Sequence, residues 1–169
     1  MACGLNKSKT EVNVFKVSSE NNLFPLPLGY VSDFEGIFTD SQVKELNSII
    51  SRHELVTTNQ IAIVTLNSID PYADIKEYSL DLANYWGVGQ KDQNNGVLIA
   101  FSTKLKKVRI QNGLGIEEKL TGNEALDIID NIIIPDFKSK NFFDGIKNGL
   151  LRVIDHLEEV EAPVVTEKN

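Results

Sequence analysis

Cysteine, histidine and methionine are nearly missing from this chain of 169 residues, which has one Cys, one Met and two His. The single thiol, Cys3, excludes an internal disulfide and any cysteine-based zinc cluster. His53 and His156 stand far apart with no cysteine or second histidine beside either, so both read as structural residues of helices rather than metal ligands. Long apolar runs are missing as well. A membrane-spanning helix needs about 18 apolar residues, and strings such as Ile132-Ile133-Ile134 are only core-sized. The N-terminus has no apolar stretch of the signal-peptide kind. Basic charge is in short supply: 17 Lys and Arg against 24 Asp and Glu leave a net charge of −7. A phosphate backbone requires a basic face, so no nucleic-acid partner is expected, whereas cations suit this balance. There is no Gly-x-Ser-x-Gly elbow, Walker lysine or His-Glu-x-x-His helix.

What is present describes one domain. Hydrophobic residues make up 41% and charged residues 24%, a globular composition. Three regions are expected: a flexible polar leader over 1–29, a domain over 30–158 and a disordered acidic tail over 159–169. The leader carries Pro25 and Pro27 among Leu23, Phe24, Leu26 and Leu28, an extended segment able to lie on the domain. Ala2-Cys3-Gly4 followed by polar residues fits two readings: the mature start of a bacterial lipoprotein, or an exposed thiol on a tail.

Periodicity supplies the elements. Thr39-x-x-Gln42 is a capping box that opens a helix through Val43, Leu46, Ile49, Ile50 and His53. Ile61-Ala62-Ile63-Val64-Thr65-Leu66 is a short β-branched run, suited to a strand covered on both faces. Asp74-x-x-Glu77 starts a second helix, with Ile75, Tyr78, Leu82 and Trp86 inward and Gly87 or Gly89 ending it. Gly96–Phe101 is a second buried strand, and Lys107–Gln111 alternates, so a hairpin joins the two. Thr121-x-x-Glu124 opens a third helix through Leu126, Ile129 and Ile133, which Pro135 is expected to stop. A last helix is expected from about Asn141 to Glu159, burying Phe143, Ile146, Leu150, Val153, Ile154 and Leu157. Strands alternating with helices, plus one hairpin, predict a three-layer α/β/α fold: a mixed sheet between helices, Rossmann-like but without strict dinucleotide-fold topology.

Two motifs imitate ligand loops and fail. Gly113-Leu114-Gly115 follows a strand, but Glu118 stands where a third glycine would be needed, and Glu117 and Glu118 would repel a pyrophosphate. Those glycines read as a sharp turn. Asp92-Gln93-Asn94-Asn95-Gly96 starts like an EF-hand loop, yet its glycine falls where the third oxygen ligand belongs. Hairpin geometry does place Asn94 and Asn95 beside the turn at Gly113–Glu118, because the start of one antiparallel strand lies next to the end of its partner. Amide and carboxylate oxygens then converge at one sheet end, either as a hard-cation site or as a solvated acidic rim.

Four segments, VSDFEGIFTDSQVKELN at 31–47, WGVGQKDQNNGVLIAF at 86–101, RIQNGLGIEEKLTGNEA at 109–125 and IIPDF at 133–137, together resemble the TPM domain. That family is named from thylakoid-lumen and photosystem-repair proteins and a receptor modulator. The resemblance spans about residues 30 to 158 and implies a stand-alone, bacterial-type member. It also implies a helix-sandwiched sheet and residence outside the cytoplasm, in the cell envelope or periplasm. Residue by residue, it assigns a polar pocket to Asp33, Asn94, Asn95 and Glu117, with Asp136 as a weaker member. Relatives carry Asp-Asn-Gly where this chain has Asn94-Asn95-Gly96, a lost carboxylate for which Asp92 could compensate, and Tyr in place of Leu114. The function expected on this basis is a calcium-binding module, monomeric, that assists a membrane-protein complex. The alternative is a metal-dependent acid phosphatase, for which the chain offers no evident nucleophile and no convergent Arg or Lys pair; Arg109 and Lys91 are the nearest candidates.

Overall fold

A computed structural model describes residues 14–17 and 23–158. The predicted leader and tail therefore lie largely outside the described residues. In chain order the elements are β1 (Val31–Asp33), α1 (Asp40–Thr57), β2 (Gln60–Thr65), α2 (Ile75–Trp86), β3 (Gly96–Ser102) and β4 (Lys107–Asn112). After them come α3 (Gly122–Ile128), a π-helical turn (Ile129–Ile133), α4 (Ile134–Lys138) and α5 (Phe142–Glu158). The four strands form one sheet in the order β1-β2-β3-β4. β1, β2 and β3 run parallel, and β4 returns antiparallel to β3 through the expected hairpin. The mixed, helix-flanked sheet read from the pattern is the one present.

Alternation along the central strands divides the core in two. Ile61, Ile63, Val97, Ile99, Phe101 and Ile110 face α1, the π turn and α5. Ala62, Val64, Leu98 and Ala100 face α2, where Tyr78, Leu82 and Trp86 meet them together with Phe15 and Phe24. The first two crossovers step the same way across the sheet, but α1 lies on one face and α2 on the other. They are therefore of opposite hand, and one departs from the usual right-handed rule.

Both capping boxes form: Thr39 and Gln42 exchange bonds at the start of α1, and Thr121 and Glu124 do so at the start of α3. Asp74 caps α2, and Gly87, in the left-handed region, ends it. Three expectations need correction. Pro135 does not stop the third helix. Through the π turn, Ile134 N–H bonds back to Ile129 O, and Pro135 falls in the first turn of α4, where its missing N–H is not needed. Leu126 points outward, while Ala125 and Ile128 of the same helix are buried. β1 carries no strand signal in the sequence, because three residues are too few to display an alternation.

Candidate functional site

The six residues singled out by sequence are not brought together. Asp33 ends β1 in register with Thr65 and, across β2, with Phe101 near the end of β3. Asn95 immediately precedes Gly96, the first residue of β3 and the register partner of Gln60 at the start of β2. Parallel strands thus put Asp33 at the carboxyl end of the sheet and Asn95 at the amino end. The six steps of chain from Asn95 to the level of Phe101 span about 20 Å. Asp136 lies on α4 beside Phe137, whose ring packs on Phe101 at 5.2 Å, so it belongs toward the Asp33 end. Asp92, Asn94, Asn95 and Glu117 stay together at the amino end.

At that end the hairpin brings two loops into contact as expected. Val97 pairs with Asn112, Gly113 N–H donates to Gly96 O at 2.8 Å, and Gly115 N–H donates to Asn94 O at 3.0 Å. The glycines are required for a different reason from the one expected. Neither adopts a positive φ; instead, a Cβ on Gly113 would strike the Asn94 carbonyl, and one on Gly115 the Gln93 carbonyl. Asn94 itself has a φ of 47° and is exposed.

Asn95 is 4% exposed and its amide is fully engaged. Its Oδ1 accepts from Gln90 N at 2.7 Å, and its Nδ2 donates to Thr58 O at 3.0 Å and Gln93 Oε1 at 3.1 Å. It knits the loop rather than offering oxygens outward. Asp33 is engaged in the same way: Oδ1 accepts from Gly36 N–H and the Thr65 hydroxyl, and Oδ2 from Phe38 N–H, at 2.8 to 3.0 Å. Asp136 takes a long bond from Asn148 Nδ2 at 3.4 Å. The exposed oxygens at the amino end therefore belong to Asp92, Asn94, Glu117 and Glu118. Among the described residues, no cluster of three or more His, Cys, Asp or Glu side chains is preassembled for a metal.

Alternation turns Arg109, one of the two weak cationic candidates, away from the core, and the structure gives it a cavity to face. With Gln111, Asn112 and Glu117 it lines a cavity of about 70 Å³ against α3. Its guanidinium leans on Gln111 Oε1 at 3.3 to 3.4 Å. Asn112 gives Nδ2 to Leu120 O at 2.7 Å, while its Oδ1 is buried without a protein donor. His53 is buried between Glu158 and Thr57, and His156 lies 3.9 Å from Glu124.

Comparison with known proteins adds three observations. The family model for the TPM domain matches residues 31–156. The solution structure of the N-terminal domain of a protein from P. gingivalis is similar at 32% identity and a TM-score of 0.70, over 76% of this chain and 81% of that one. The N-terminal domain of cg2496 from Corynebacterium glutamicum (15% identity, TM-score 0.60, 91% and 97% covered) shares the fold. So does the BA42 protein of Bizionia argentinensis (24%, 0.55, 73% and 83%). No curated protein is significantly similar to the chain.

Proposed function

From the premise that this chain belongs to the TPM domain family, we propose that it is a divalent-cation-binding module, with calcium as the ion, that engages a protein partner. The ion binds the loop pair at the amino end of β3. The observation that carries this reading is the Gly115 N–H to Asn94 O bond. It pins the two acid-bearing loops together while the side chains of Asp92, Asn94 and Glu117 remain exposed. Carboxylate and amide oxygens in such an irregular arrangement suit calcium, which accepts irregular shells of oxygens, better than magnesium, which demands a near-octahedron. Asn95 and Asp33 are left out of the ligand set because protein donors already occupy them. Leu114, 74% exposed at the tip of the same turn, offers an apolar contact to a membrane-associated protein complex beside the ion.

The test is a calcium and magnesium titration followed by backbone amide shifts. Calcium at about millimolar concentration should move Asn94, Gly115 and Glu117. It should also raise the melting temperature, and Glu117→Gln should blunt both effects. Unmoved amides on both loops would reject the reading.

A second reading, a metal-dependent acid phosphatase, is favoured by one observation: Arg109 and Glu117 line the same cavity. There a guanidinium could balance phosphoryl charge while a bound ion supplies electrophilic help. Phosphate release from an aryl phosphate should then fall in both Arg109→Ala and Glu117→Gln. Activity that survives full chelation would exclude this chemistry.

A further inference from the structure

β3 turns into β4 through Thr103–Lys106, and the start of that turn aims four donors at one small space. All four bond the carboxylate of Glu35, a residue of the loop after β1. Its Oε1 accepts from the Ser102 hydroxyl at 3.2 Å, Thr103 N–H at 3.1 Å and Lys104 N–H at 3.2 Å. Its Oε2 accepts from Thr103 N–H and the Thr103 hydroxyl, both at 3.1 Å. Consecutive backbone N–H groups converging in this way form an anion-binding concavity. The cradle is built rather than superficial. Ser102 is 1% exposed, and its oxygen accepts from Leu105 N–H at 3.1 Å, which turns its proton toward the carboxylate.

Two further observations point to an anionic ligand. In a chain of net charge −7 this hairpin carries Lys104, Lys106 and Lys107 with no acidic residue among them. Lys104 Nζ is held at 2.8 Å by Asn67 Oδ1, at the rim, and does not pair with Glu35. The cradle also lies at the carboxyl ends of the parallel strands, where open α/β sheets take their ligands.

We propose that the Ser102–Lys104 turn is a binding site for a phosphate-type oxyanion, and that Glu35 occupies it as a competing intramolecular ligand. A phosphate would take over the two amides and two hydroxyls, adding the ammonium groups of the flanking lysines, while Glu35 swings out to water. The site is independent of the cation reading and lies at the opposite end of the sheet.

The test is titration of the chain with inorganic phosphate, in chelator, against chloride at matched ionic strength, with backbone amides as the readout. Glu35→Ala should show saturable shifts at Thr103 and Lys104. Its apparent affinity should be on the order of tenfold or more above wild type, because a site filled by its own occupant is available for only a fraction of the time. Adding Thr103→Val to that variant should weaken binding again. A folded Glu35→Ala protein whose Thr103 and Lys104 amides respond no more to phosphate than to chloride would overturn the proposal. Should Glu35→Ala fail to fold, Glu35→Gln keeps the size and removes the charge. It must bind phosphate more tightly than wild type, and equal or weaker binding overturns the proposal too.

Discussion

Asn95 was legible as a polar residue before a strand and read as a cation ligand; its neighbours made it a structural hub. With Oδ1 and Nδ2 tied to Gln90, Thr58 and Gln93, Asn95→Ala removes three hydrogen bonds that join the loop and should cost about 2 kcal/mol in urea unfolding. Calcium should still shift Asn94 and Glu117 in that variant. Tyr30 follows the same logic of partners. Burial, then the hydrogen bond to Glu54 at 2.6 Å and the charge of that carboxylate, push its phenol from 10.0 up to about 12. A raised acid keeps its proton longer in the folded state than in the unfolded one. The stability it contributes is therefore fully present below pH 10 and is lost as pH rises through 12. Tyr30→Phe should flatten that alkaline decline, as read from denaturation midpoints at a series of pH values.

Helix starts were the most legible elements, because a capping box is local chemistry: a side-chain oxygen, an amide and a spacing of three. At α3 the Thr121 amide, then its hydroxyl, hold the Glu124 carboxylate below its ordinary value. The depressed acid contributes stability above the ordinary carboxylate range and loses it as pH falls through the folded value. Thr121→Ala removes the capping hydroxyl, which by itself should cost about 1 kcal/mol near neutrality; the Thr121 amide remains, so part of the loss of stability in acid should persist in the variant, and thermal melts at several pH values check both statements. Helix ends were less legible. Pro135 reads as a stop in one dimension, but a π turn realigns the backbone so that the proline falls where no donor is required. Close packing supports that turn: a Cβ on Gly149 of α5 would collide with the Ile133 side chain.

For the whole molecule, the extended segment around Pro25 and Pro27 lies on the domain as its composition suggested, and it helps close the second face of the sheet. α2 covers it together with described pieces of the leader region. Phe15 stacks 6.3 Å from Trp86, Phe24 sits edge-on to Tyr78 at 5.2 Å, and Trp86 Nε1 donates to Pro25 O at 2.7 Å. These are core contacts made by residues outside the expected domain start. Phe24→Ala should destabilise the fold by about 3 kcal/mol, and it should weaken the near-ultraviolet circular dichroism of the surrounding tyrosines. A neutral result would mean that the segment does not close this face in solution.

The sequence by itself determined the fold class, the capped helix starts, the central strands and the hairpin, all of which follow from periodicity and bonding over a few residues. Hairpin geometry also made the meeting of Asn94 with the Gly113–Gly115 turn foreseeable, since antiparallel pairing brings those ends together whatever surrounds them. Only the tertiary structure decided which end of the sheet each polar residue occupies. Asp33 and Asn95 share a polar character, but strand direction separates them, and the donors around each carboxylate or amide settle whether its oxygens are free. Those donors come from residues distant in sequence: Thr65 for Asp33, Thr58 for Asn95, and Ser102 with Thr103 for Glu35. Pairings of that range depend on packing, which no local pattern encodes.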